Sequence, residues 1–138
     1  MPRSGARPGD RVLDVGSGSG WTAALLGWLV GEAGEVVGVD IVPELVAMAR
    51  EHLAGRFGWV RFELARRGKL GWPDGAPWDR ILVSAAGSAV PQALVDQLAP
   101  GGRMVVPVEH DMWVVDKDAA GVVTRRTTGD RFNFVPLR

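Results

Sequence analysis

The run Val12-Leu13-Asp14-Val15-Gly16-Ser17-Gly18-Ser19-Gly20 constrains this chain more than any other stretch. Its apolar start reads as a buried strand, predicted over residues 11–15. Three alternating glycines then read as a tight turn, because glycine enters left-handed backbone at little cost. A helical pattern follows at once, over residues 21–31, with Ala23, Ala24, Leu25 and Leu26 in its middle. A second apolar strand, over residues 35–40, ends in Asp40. Strand, glycine turn, helix, strand and terminal acid are half of a nucleotide-cofactor site in an α/β fold.

The glycine spacing narrows the ligand. Dinucleotide sites use G-x-G-x-x-G, whose third glycine lets the helix pack closely beside a pyrophosphate. Here the glycines stand at 16, 18 and 20, and Asp14 precedes the first by two residues. An acid at the strand end repels a pyrophosphate. It suits a ligand with a cationic group, such as the amino acid end of S-adenosylmethionine. Asp40 at the second strand tip can accept hydrogen bonds from ribose hydroxyls. Each residue also has a plainer reading: Asp14 as a strand-end acid, Asp40 as a cap for the next helix, Ser17 and Ser19 as turn formers.

The rest of the pattern extends the same architecture. Pro43 opens a helix to about residue 53, and residues 59–64 alternate like a strand. A Gly- and Pro-rich loop covers residues 66–78, and a fourth strand is predicted over residues 79–85. Pro91 opens a helix to about residue 98, Pro100-Gly101-Gly102 is expected to turn the chain, and residues 103–108 form a fifth strand. Residues 112–116 and 122–127 read as a hairpin joined near Ala120-Gly121, and residues 132–137 as a final strand-like run. Helices alternate with strands as far as Val108, and strands alone follow. That order implies a mostly parallel sheet with an antiparallel C-terminal edge. At 138 residues the chain is expected to be a single domain.

Composition removes several chemistries. There is no cysteine, so disulfides, thiolate catalysis and cysteine-bound zinc are excluded, and there is no tyrosine to act as acid or base. Only His52 and His110 carry imidazoles, far apart, so no metal site is expected. The formal charge is zero, which argues against a nucleic-acid partner. No apolar segment reaches membrane length, and the expected location is cytoplasmic.

With these motifs the chain resembles the class I S-adenosylmethionine-dependent methyltransferases, and within them the protein-L-isoaspartate O-methyltransferases. The resemblance rests on PGDRVLDVGSGSG (8–20), VVGVDIVPELV (36–46), GWPDGAPWDRILVSAA (71–86), PQALVDQLAPGGRMVVPV (91–108) and FVPL (134–137). The resemblance implies a Rossmann-like fold. It implies S-adenosylmethionine as cofactor and methyl transfer to the carboxylate of L-isoaspartyl residues in damaged proteins, which serves their repair. Gly16, Ser17, Gly18, Ser19 and Gly20 would line the methionine part, Asp40 would hold the ribose, and Ile41 would flank the adenine, with Asp14 read from its position as an anchor for the cofactor. Arg67 and Gly68 fall at the adenine-side turn. Ser84, Ala85 and Ala86 would lie close to the transferring methyl, with isoaspartyl peptides or proteins as partners and a monomer as the expected state.

Three departures accompany the resemblance. The family carries several dozen residues before its first strand, whereas here residues 1–9 precede it. Either the chain is a fragment, or its start is misplaced, or the domain has lost its cap; the expectation is the fold without that N-terminal cap, with apolar surface left open on the sheet and first helix and lower solubility or self-association. The adenine-side turn reads Arg66-Arg67-Gly68 where the family has Gly-Asp-Gly, which puts a donor in place of an acceptor. Residues 109–113, Glu-His-Asp-Met-Trp, replace a glycine-containing loop and a glutamine. The alternative reading is a catalytically silent or incomplete cofactor-binding domain.

Overall fold

The computed structural model describes residues 5–131 and 135–136. Its centre is a seven-stranded sheet in the order β3 (Val60–Leu64), β2 (Glu35–Asp40), β1 (Arg11–Val15), β4 (Trp78–Val83), β6 (Leu98–Val108), β7 (Asp111–Lys117), β8 (Val123–Arg131). The inner strands β1 (Arg11–Val15), β2 (Glu35–Asp40) and β4 (Trp78–Val83) are buried along nearly their whole length. That is what continuous apolar runs flanked on both faces require. β1 pairs in parallel with β2 on one side and β4 on the other. β3 (Val60–Leu64) extends the β2 side. The strand order reverses between β1 and β4, so a crevice opens at their C-terminal ends.

Side chains alternate across the sheet and divide the core in two. Val12, Val36 and Leu82 pack with Ala23, Leu26 and Val30 of α1 (Trp21–Val30) and with Val46 and Ala49 of α2 (Pro43–His52). Leu13, Val37, Ile81 and Met104 face the other side, with Trp78, Leu94 and Val115. Gly27 lets α1 approach β3: a Cβ there would run into Val60 Cγ2. The Trp59 indole donates to the Gly27 carbonyl at 2.7 Å at the same contact.

The parallel half is followed by an antiparallel edge, as the element order implies. β6 (Leu98–Val108) pairs in parallel with β4 and antiparallel with β7 (Asp111–Lys117), which pairs antiparallel with β8 (Val123–Arg131). Asp118 builds the β7–β8 turn by accepting the amides of Ala120 and Val122 at 2.8 and 2.9 Å.

Three local expectations are corrected. The helix opened by Pro91 is one turn, α3 (Gln92–Val95), and does not reach residue 98. Leu98 already pairs with Trp78, and the Trp78 amide donates to the Gln97 carbonyl at 2.8 Å. Pro100-Gly101-Gly102 does not precede the fifth sheet strand. It bulges within β6, because the β4–β6 register shifts between Trp78 and Arg80. The strand expected over residues 79–85 starts one residue earlier and breaks at Ser84. Ala85–Ala86 forms a separate short strand, β5, parallel to β9 (Val135–Pro136). Of the final run over residues 132–137 only β9 is described; residues 132–134 and 137 lie outside the described residues.

Candidate functional site

The glycine turn leaves β1 at the point where the strand order reverses. Gly16, Gly18 and Gly20 have φ of 81°, 56° and 94°, so the alternation of glycine matches an alternation of left-handed backbone. The amides of Gly16 and Ser17 both donate to the Val39 carbonyl, at 2.8 and 3.0 Å. The turn is thereby folded over the end of β2. Asp40 completes the attachment: its carboxylate accepts the Gly18 amide and the Val42 amide, each at 3.0 Å. Asp40 therefore ties the turn to the chain entering α2. The N-cap of α2 is Val42, which makes no side-chain cap hydrogen bond. His52, at the far end of α2, donates Nδ1–H to the Ser19 carbonyl at 3.1 Å.

Beneath the turn lies Asp14, fully buried and in register with Gly38 on β2 and Leu82 on β4. Neither carboxylate oxygen has a hydrogen-bond partner, and neither does the buried hydroxyl of Ser17. Burial, with a smaller contribution from the charge of Asp40, pushes the Asp14 carboxyl up to about 7. Gly38 makes room for this arrangement. A Cβ on it would lie 2.8 Å from the Phe62 ring and 2.9 Å from Ser17 Cβ. A buried acid without a partner beside a ring of left-handed glycines fits a ligand that brings a positive charge to the mouth of the turn. It does not fit one that brings a pyrophosphate.

The remaining predicted residues take three positions around that centre. Ile41, exposed, follows Asp40 at the tip of β2. Leu64 at the tip of β3 is also exposed and is paired in register with Asp40, so two apolar side chains stand at neighbouring strand ends. Ile41 is among the residues expected at the site; Leu64 is not, and its one mark in the sequence is the last apolar position of an alternating strand. Ser84 joins the turn from the other side, its amide donating to the Val15 carbonyl at 3.0 Å. A Cβ on Gly16 would lie 3.7 Å from Ser84 Cβ, so Ser84, with Ala85 and Ala86 beyond it, borders the turn. Arg67 and Gly68 are exposed at the tip of the loop after β3. The Ala65 amide at that loop's base donates to the Asp40 carbonyl at 2.8 Å. No group of three or more His, Cys, Asp or Glu that could hold a metal ion occurs among the described residues.

The comparisons with known proteins point one way. The model of the family described as protein-L-isoaspartate(D-aspartate) O-methyltransferase matches residues 5–138. The chain belongs to this family. A protein-L-isoaspartate O-methyltransferase of Methanopyrus kandleri is 44% identical over 137 residues, covering 95% of this chain and 60% of that protein. One from Anaeromyxobacter dehalogenans is 51% identical over 120 residues, covering 83% of this chain and 56% of its own length. The chain thus spans about 60% of the length of such curated relatives. A solved protein-L-isoaspartate O-methyltransferase superposes on all of this chain and 45% of its own, with TM-score 0.87 and 28% identity. A Plasmodium falciparum structure of a protein of this type, in complex with S-adenosyl-L-homocysteine, covers 96% of this chain and 67% of its own. It has TM-score 0.78 and, at 23% identity, supports the fold. The sheet with its antiparallel C-terminal strands is the Rossmann-like methyltransferase architecture.

Proposed function

We propose that this chain carries the S-adenosylmethionine-binding and methyl-transfer part of a protein-L-isoaspartate O-methyltransferase. Asp14 carries the reading: it is a fully buried carboxylate with both oxygens unpartnered, beneath the glycine turn of a family member. S-adenosylmethionine supplies an electrophilic methyl on a sulfonium. Asp40, joined by Asp14 as a cationic ligand draws off its proton, sets a negative field around the turn, which favours a ligand carrying an ammonium. Asp40 can still accept from ribose hydroxyls, because each carboxylate oxygen has spare lone pairs beyond its one amide. Ile41 and Leu64 offer apolar faces to a flat base.

The acceptor carboxylate of an isoaspartyl residue is already ionised at neutral pH, with an unperturbed pKa of about 4. No base is needed to activate it. Ser84, Ala85 and Ala86 border the turn and supply a small, uncharged surface beside the approach. Catalysis then rests on holding carboxylate and methyl in line. Family membership supports this reading over that of a silent domain.

Calorimetric titration of the purified chain with S-adenosylhomocysteine tests it, followed by transfer of labelled methyl to an isoaspartyl peptide. Micromolar binding and peptide labelling are the expected results. Repeating the titration with Arg67→Asp tests the adenine-side turn: restoring an acceptor there is expected to tighten binding. Absence of binding in both forms defeats the proposal.

A further inference from the structure

The loop between β3 and the Pro73–Gly75 turn of 3-10 helix carries Arg67 and Gly68 at its tip, and one buried side chain holds its far end. Gln97, two residues past α3, is 5% exposed. Its Oε1 accepts the Trp72 amide at 3.0 Å, and its Nε2 donates to the carbonyls of Leu70 at 2.8 Å and Ala93 at 3.0 Å. A single amide thereby satisfies the two backbone groups that flank Gly71 and joins them to α3.

Gly71 is shaped to this contact. Its φ is 76°, and a Cβ on it would stand 2.7 Å from Gln97 Oε1 and 2.7 Å from Leu94 Cδ2. The loop's other end is fixed by the Ala65 amide on the Asp40 carbonyl at 2.8 Å. Between the two anchors, the Lys69 amide donates to the Arg66 carbonyl at 3.0 Å and closes a turn with Arg67 and Gly68 at its tip. The Arg66 side chain folds back onto Asp74 at 2.7 Å and over the Trp72 ring at 4.9 Å. The tip therefore has little freedom of its own: its place is set by Asp40 at one end and Gln97 at the other.

We infer that Gln97 is a positioning residue for cofactor recognition, holding the Arg67-Gly68 turn where it reads the adenine edge through its contacts to Leu70 and Trp72. The inference rests on the cofactor reading above. Gln97 touches no ligand and acts through the loop.

The test uses the intact chain and two nucleosides, S-adenosylhomocysteine and S-inosylhomocysteine, which differ at the base edge. Arg67 offers only donors, so the unmodified chain is expected to bind the inosyl compound, with its 6-oxo acceptor, more tightly than the adenosyl compound, with its 6-amino donor. Gln97→Met keeps the shape and removes all three hydrogen bonds. It is expected to weaken the inosyl compound by about tenfold, the scale of a net hydrogen bond or two, and to erase most of the preference. Gly71→Ala displaces the same loop from its other side and is expected to give the same pattern. It provides the readout where Gln97→Met does not fold. A merely structural role for Gln97 predicts equal weakening of both nucleosides, or none, and either result overturns the inference. So does an unmodified chain that binds both equally. Failure of the unmodified chain to bind S-adenosylhomocysteine at all overturns the cofactor reading itself.

Discussion

The Asp40 carboxylate receives the Gly18 amide at 3.0 Å, so the acid at the tip of β2 holds the turn that leaves β1. Its other oxygen receives the Val42 amide. Both contacts are donated to the acid, which makes Asp40→Asn more than a loss of charge. The asparagine amide group can offer one acceptor only, so its NH2 must face one of these two backbone N–H groups. Asp40→Asn is expected to cost about 1–3 kcal/mol, the range for stranding a polar group, and to weaken S-adenosylhomocysteine at least tenfold. Urea unfolding and calorimetry on the same preparation check both. Unchanged stability would show that the turn stands without this attachment.

Asp14 gives a pH dependence with a definite sign. Its carboxyl is raised from 3.8 to about 7 in the folded chain, by burial first and by Asp40 second. Between those values the folded state holds a proton that the unfolded state has released. This contribution to stability is therefore full below about pH 4, falls as pH rises, and is lost above about pH 7. Asp14→Asn is expected to flatten that slope, read as the difference in urea midpoint between pH 5 and pH 8. Binding of a cation-bearing ligand lowers the Asp14 pKa, so titration with S-adenosylhomocysteine near pH 6.5 is expected to release a proton. That release appears as a binding enthalpy that changes with the ionisation enthalpy of the buffer. A buffer-independent enthalpy would remove Asp14 from the electrostatics of binding.

Gly18 and Gly38 separate backbone strain from crowding. Gly18 has φ of 56° and no atom within 4 Å of a Cβ built on it. Gly18→Ala is thus expected to cost about 1 kcal/mol through left-handed backbone alone. Gly38 has no positive φ, but its Cβ would press on Phe62 and on Ser17 at under 3 Å. Gly38→Ala is expected to cost about 2 kcal/mol, as overpacking does, and to displace the turn through Ser17. Only the second variant is expected to alter the tryptophan fluorescence of the ligand-free chain. Equal effects from the two would mean that the space beside Asp14 is not what Gly38 preserves.

The glycine turn, β1, β2, α1 and α2 were legible because their signals are local. An apolar run ends in glycines that take positive φ, and Pro43 marks where the next helix begins. The antiparallel edge was legible from the change in element order after Val108. The bulge in β6 was not, because Pro100-Gly101-Gly102 has the same composition whether it ends an element or protrudes from one. What decides it is the pairing of Leu98 with Trp78, a contact between distant residues. Gln97 was missed for a related reason: a glutamine near the end of a helical pattern looks like a solvent-facing residue. Its burial comes from Leu70 and Trp72, carbonyl and amide groups that no sequence pattern advertises. Asp14 was singled out, yet its complete burial follows from its place between Gly38 on β2 and Leu82 on β4, pairings between distant residues.

The open face of α1 yields the remaining prediction. The helix contains no charged residue, and Trp21, Leu25 and Trp28 are 83%, 42% and 71% exposed. Their spacing at i, i+4 and i+7 places all three on one stripe, about 10 Å from end to end. Water-facing aromatic stripes of this kind drive association. The sedimentation coefficient of the chain is therefore expected to rise with concentration. Trp21→Glu with Trp28→Lys puts an acid in the first turn and a base in the last, each favourable to the helix dipole. The double variant is expected to sediment as a monomer at every concentration with its thermal midpoint unchanged or higher. A concentration-independent monomer from the unmodified chain would show that this stripe tolerates water as it stands.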